Sequence, residues 1–224
     1  IKVFYPIDGV SEVQKRQMQS QEGDNVSEVG IRGNFDDAQS GVKEIFSSEA
    51  IRDELDGDGV FLSSANSINW GRLVPQIVYY ISAYCDLIEN GTIKNGDEVN
   101  VVVPTGNFGN ILAAYYAKKM GIPFGKLICA SNANNVLTDF LKTGTYDKNR
   151  KFFTTTSPSM DILISSNLER LLYHLTDENA EAVSKWMAEL SSEGKYTVCD
   201  KVKALVTDLF DAGCCDDKET AEAI

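Results

Sequence analysis

The stretch that most constrains this chain is Val99-Asn100-Val101-Val102-Val103. It runs through Pro104-Thr105-Gly106-Asn107-Phe108-Gly109-Asn110 directly into a helix-forming segment, Ile111–Met120, stopped by Gly121 and Pro123. A β-branched run of this kind is expected for a strand buried on both faces, as in a parallel sheet. A buried strand that turns through two glycines into a helix presents unpaired backbone N–H groups and the positive end of a helix dipole. Gly106 and Gly109 allow unusual backbone conformations and close approach of an anion, and Asn107 and Asn110 add short hydrogen-bonding side chains. A phosphate or carboxylate fits such a loop. No Gly-Lys-Ser/Thr follows, and the glycine spacing is not that of a dinucleotide fingerprint. Spacing alone leaves two readings open, an anion cradle or a tight turn with Asn caps.

The remaining pattern predicts an α/β fold, with parallel sheets and flanking helices. Val3–Tyr5 reads as a strand, Ser11 with Gln14 as a capping box for a helix closed by Gly23, and Asn25–Ile31 as a second strand. Asn34 then caps a helix carrying Phe35, Ala38, Val42, Ile45 and Phe46 on one face. Asp53–Gly59 is acidic and reads as a linker, and Val60–Leu62 as a returning strand. Further on, the pattern predicts a buried helix from about Leu73 to Glu89, a strand Leu127–Ala130, and helices Asn135–Thr143 and Met160–Tyr173. Two more apolar stripes follow, Val183 to Leu190 and Val202 to Phe210, so the last third reads as helical. Residues 1–58 are expected to form part of a smaller βαβα domain, and 59–224 part of a larger one.

Composition excludes several classes. A net charge of -12 argues against nucleic-acid binding, which is built on clustered Lys and Arg. Much of the acid lies in 176–224 and reads as solvated helix faces. No stretch has the roughly 20 apolar residues of a membrane span. The five cysteines are irregularly spaced, which predicts reduced thiols and a cytoplasmic protein, and neither CxxC pairs nor clustered histidines offer a metal site. Both ends break off inside structured sequence, which predicts a larger parent polypeptide.

Two other polar segments lie at strand–helix junctions, Ser63–Arg72 and Thr154–Asp161. Each is also explained by helix caps and ST-turns. His174 and Cys214-Cys215 read as helix-end residues.

Taken together, Val3-Phe4-Tyr5-Pro6, Gly33-Asn34-Phe35-Asp36-Asp37-Ala38-Gln39, Ser63-Ser64-Ala65-Asn66-Ser67-Ile68-Asn69, the Pro104–Asn110 loop and Ser157-Pro158-Ser159-Met160-Asp161-Ile162 resemble threonine synthase. The likeness is to the bacterial and fungal form, a pyridoxal-phosphate enzyme of the tryptophan-synthase-β fold type. It implies fold-type II architecture, with the two domains above as parts of its smaller and its cofactor-binding domains. It also implies conversion of O-phosphohomoserine and water to threonine and phosphate, and assigns Gly106, Asn107, Phe108, Gly109 and Asn110 to the cofactor's phosphate. Ser67, Asn69 and Arg72 become substrate-side candidates.

The family's Schiff-base lysine lies in a Phe-Lys-Asp context that this chain lacks, so the resemblance implies no catalytic residue here and a lysine upstream of residue 1. The chain by itself is therefore expected to be inactive and prone to self-association. A serine or threonine dehydratase with the same cofactor, or a silent phosphate-ligand binding module, are the alternatives.

Overall fold

The computed structural model describes residues 2–7, 10, 12–33, 41, 42, 44–62 and 69–224, and the chain divides into two units, 1–63 and 64–224. In the first, β1 (Lys2–Pro6) and β2 (Ser27–Ile31) pair in parallel, with α1 (Glu12–Gln19) as the crossover. Gln19 Nε2 donates to the buried Tyr5 hydroxyl at 3.1 Å and ties helix to strand. The helix ends at Gln19, before Gly23, while Ser11, Asn34, Phe35 and Ala38 lie outside the described residues.

The acidic segment read as a linker is a helix, α2 (Glu49–Gly57). Ser48 caps it by accepting the Ile51 N–H, and it buries no residue; Ile51 and Leu55 share one face, but a stripe this short within an acidic run is a weak helix signal in sequence. Val60–Leu62 is not a strand. Gly59 is left-handed (φ 71°), and the Val60 N–H bonds back to the Leu55 carbonyl at 2.9 Å, which closes α2 in a Schellman-type turn.

The second unit holds a three-stranded parallel sheet in the order β3–β4–β7, formed by β3 (Val99–Pro104), β4 (Phe124–Ser131) and β7 (Phe210–Cys214). α3 (Trp70–Glu89) precedes it, and α4 (Gly109–Lys119) crosses from β3 to β4. α4 is apolar nearly all round. Ile111, Leu112, Ala113, Ala114 and Ala117 are fully buried, because helices and sheet surround it.

β3 is an edge strand, and Val102 is 62 % exposed, so the expected burial on both faces is not met. α3 is likewise buried along one stripe only, through Leu73, Ile77 and Tyr84, with Val74, Val78 and Tyr79 exposed.

After β4 come α5 (Val136–Thr143), β5 (Thr145–Asp147), α6 (Leu168–Leu175), α7 (Ala180–Ser192), β6 (Lys195–Thr197) and α8 (Asp200–Leu209), with α9 (Asp217–Ala223) following β7. Three predictions fail here. Residues 160–173 are not one helix: a single 3₁₀ turn (Pro158–Met160) and an irregular segment precede α6, because side chains of this segment bond to neighbouring loops instead. Phe210–Cys214 is a strand, and Phe210 pairs with Leu127. The antiparallel pair β5–β6 was unforeseen; three-residue strands carry almost no periodic signal. Their centre is an aromatic stack, with the Tyr146 and Tyr196 rings 5.5 Å apart and nearly parallel, and Trp186 beyond Tyr196. Among the described residues, no helix is long and apolar enough to cross a membrane.

Candidate functional site

Because β3, β4 and β7 are parallel, Pro104, Ser131 and Cys214 lie along one sheet edge. Open α/β sheets bind ligands beyond the carboxyl ends of their strands. At this edge Thr105 donates its N–H to Ala130, and the next five residues break the pattern. Among the described residues, none of the backbone N–H groups of Gly106, Asn107, Phe108, Gly109 and Asn110 meets a carbonyl. α4 begins at Gly109 with no side-chain cap and no acidic residue in its first turn.

Neither glycine takes a positive φ. The left-handed residue is Phe108 (φ 65°), a conformation that costs an L-residue roughly 1–2 kcal/mol. Its ring is fully buried, 5.7 Å from that of Phe210, and this packing holds the strained turn in place. A left-handed residue within a run of unpaired N–H groups makes a concavity suited to an anion.

The carbonyls of Gly106, Asn107, Phe108 and Asn110 are engaged by neighbouring groups, that of Phe108 by the Leu112 N–H. Ser165 Oγ donates to the Gly106 carbonyl at 3.0 Å, and both the N–H and Nδ2 of Asn167 donate to the Asn107 carbonyl at 3.1 Å. The Tyr80 hydroxyl donates to the Asn110 carbonyl at 2.8 Å. Burial pushes the Tyr80 phenol up to about 12, so it remains a donor at neutral pH. Asn110 spans the loop: Nδ2 donates to the Pro104 carbonyl, and Oδ1 accepts from Ile111 N–H. Asn107 is exposed.

Gly106 is required by close approach, since a Cβ there would lie 2.6 Å from the Ser159 carbonyl oxygen. Ser159 belongs to the hydroxyl-rich segment picked out in the sequence, and Asp161 fixes that segment. One Asp161 oxygen accepts from Asn132 Nδ2 (2.7 Å), Asn134 Nδ2 (3.0 Å) and Thr155 Oγ1 (2.8 Å), and the other from the Thr155 N–H (2.9 Å). The predicted ST-turn is present as well, with the Ser157 N–H donating to Thr155 Oγ1.

The other candidates are placed differently. Ser67 lies outside the described residues. Asn69 caps α3 by accepting the Gly71 N–H at 2.9 Å, and Arg72 is exposed in the first turn of that helix. Lys118, near the far end of α4, donates to the Phe124 and Gly125 carbonyls. His174 pairs its Nε2 with the Tyr116 hydroxyl at 2.9 Å; burial, and then Lys119, hold its imidazole below the ordinary range. These two residues line a cavity of about 690 Å³ together with Trp70, Arg170 and Tyr173. Sequence reasoning missed Ser165, Asn167 and Tyr80. The adjacent hydroxyl and amide of Ser165–Asn167, interrupting an apolar run, were the available signal.

No protein-family model matches the chain. It is 48% identical over its whole length to human threonine synthase-like 1, and spans 30% of that protein. It is 41% identical to threonine synthase of Pseudomonas aeruginosa, again over its whole length, and spans 45% of it. Among solved structures, 99% of the chain superposes on PLP-bound threonine synthase from Brucella melitensis, with TM-score 0.87 and 43% identity, covering 45% of that chain. Yeast threonine synthase matches with TM-score 0.85 and 37% identity, 44% of it covered. The chain thus spans less than half the length of the relatives it matches.

Proposed function

We propose, from a chain homologous along its whole length to threonine synthases, that it forms part of a pyridoxal-phosphate enzyme of that kind. Its parent converts O-phosphohomoserine and water to threonine and phosphate, with residues 59–224 in the cofactor-binding domain and 1–58 in the smaller one. The observation that carries this reading is the row of five N–H groups from Gly106 to Asn110, at the sheet's carboxyl edge, that meet no carbonyl among the described residues. The residues fit a phosphate: the backbone donors there meet no carbonyl, α4 adds its positive end, and the first turn carries no competing carboxylate. Bound pyridoxal phosphate supplies the electron sink for breaking bonds at the amino-acid α-carbon. The chain's own part is to hold the phosphate, through Gly106, Asn107, Phe108, Gly109 and Asn110. Ser67, Asn69 and Arg72 stay as proposed substrate-side residues.

The test is Gly109→Val, which puts a branched side chain at the first residue of α4, beside the loop's N–H groups. Affinity for pyridoxal phosphate should fall at least roughly tenfold, as expected when the anion is held too far off to keep one charge-assisted hydrogen bond to the loop, while affinity for pyridoxal stays put. Equal loss for both ligands, or for neither, removes the loop from the cofactor site. Since no lysine here matches the family's motif, borohydride reduction in the presence of pyridoxal phosphate should label no single lysine of this chain.

A further inference from the structure

We infer that Ser165 and Asn167 are positioning residues that aim the N–H groups of the Gly106–Asn110 loop; the inference rests on that loop's proposed role. A trans peptide is planar, and its C=O and N–H point in opposite directions. The peptide between Gly106 and Asn107 carries the Gly106 carbonyl on one side and the Asn107 N–H on the other. Ser165 Oγ holds that carbonyl at 3.0 Å, which turns the Asn107 N–H the opposite way. The next peptide behaves alike. Asn167 holds the Asn107 carbonyl with both its backbone N–H and its Nδ2, which fixes the direction of the Phe108 N–H.

Neither holder moves freely. Ser165 is 7% and Asn167 1% exposed, the Ser165 N–H donates to the Tyr146 hydroxyl at 2.9 Å, and Asn167 Oδ1 accepts from Arg170 at 2.7 Å. Tyr146 is itself locked in the stack with Tyr196. The loop's peptide planes are thus set by a polar pair anchored in the core, and two N–H groups are presented ready-aimed. Donors fixed in advance bind an anion more tightly than donors that must reorient.

The experiment is a titration of the ¹⁵N-labelled chain with inorganic phosphate, following the amide signals of 106–110, alongside binding of pyridoxal phosphate and pyridoxal. Ser165→Ala should weaken phosphate and pyridoxal phosphate binding roughly five- to tenfold, leave pyridoxal unchanged, and shrink the shift at the Asn107 amide. Ser165→Thr, which keeps the hydroxyl, should restore both. Asn167→Asp, which replaces the Nδ2 donor by an acceptor, should act in the same way at Phe108; Ser165→Ala carries the test alone should the Asp variant not fold.

Wild-type affinity and an undiminished Asn107 shift in Ser165→Ala overturn the positioning role. If Gly109→Val still weakens binding in that case, the loop's proposed role survives. If the wild-type amides of 106–110 ignore phosphate altogether, the loop assignment falls and the positioning role with it.

Discussion

Gly106 and the Ser159 carbonyl are in such close contact that a Cβ on Gly106 would sit 2.6 Å from the Ser159 oxygen. Gly106→Ala must therefore push the Ser157–Asp161 segment away or shift the loop itself. Forced overpacking of this kind costs about 1–3 kcal/mol, read as a lower urea midpoint at unchanged slope. Gly57→Ala is the control, since a Cβ there meets nothing within 4 Å.

Asp161→Asn replaces one of two accepting oxygens with an NH₂, which must face either the Thr155 N–H or the donors from Asn132, Asn134 and the Thr155 hydroxyl. The variant should lose about 1–3 kcal/mol of stability by chemical denaturation. Limited proteolysis should then cut first between residues 153 and 161, because the carboxylate is one of the groups, with the Asn134 side chain and Asp217, that fasten that segment.

His174 gives the chain a pH dependence. Its folded pKa lies below the ordinary 6.5, chiefly through burial, with Lys119 acting the same way and Glu178 opposing. The folded state thus disfavours the proton. The stabilisation from His174 is complete above about pH 6.5 and is lost as pH falls through the lower folded value. Unfolding titrations between pH 7.5 and 5 should show declining stability, and His174→Gln should flatten part of that decline. An unchanged slope in the variant would assign the decline to other groups.

All five cysteines are free thiols; Cys129 is buried and the other four exposed. Burial also raises the Cys129 pKa. A thiol reagent on the native, non-reduced chain should therefore modify four cysteines quickly and Cys129 only on unfolding. Fewer than five thiols after denaturation would reveal a disulfide and contradict the expectation of fully reduced cysteines.

The sequence announced elements wherever apolar spacing was long and regular. The strand Val99–Val103 and helix Ile111–Met120 are seen as Val99–Pro104 and Gly109–Lys119, and the stripe from Val183 to Leu190 as part of Ala180–Ser192. It misled wherever tertiary partners decide. Phe210 looked like the end of a helical stripe, yet it pairs with Leu127, which no local pattern can reveal. At the loop, the glycines drew attention for conformational freedom, while the left-handed position went to Phe108, whose buried ring compensates for its strain. Ser165 and Asn167 stand out in sequence only as polar residues interrupting an apolar run; their role was hidden for a similar reason, since a polar residue's partner is fixed only once the sheet is assembled.

The order β3–β4–β7 also bears on how the chain is made. β3 and β4 adjoin in sequence, but β7, at Phe210–Cys214, begins about eighty residues after β4 ends at Ser131. A ribosome adding about 5–20 residues per second needs roughly 4–16 s to cover that distance. Through that interval the free edge of β4 stays unpaired, an open template for another strand. The nascent chain is therefore most exposed to mispairing and to chaperone capture after residue 131 emerges, and that window closes only when Phe210–Cys214 leaves the tunnel.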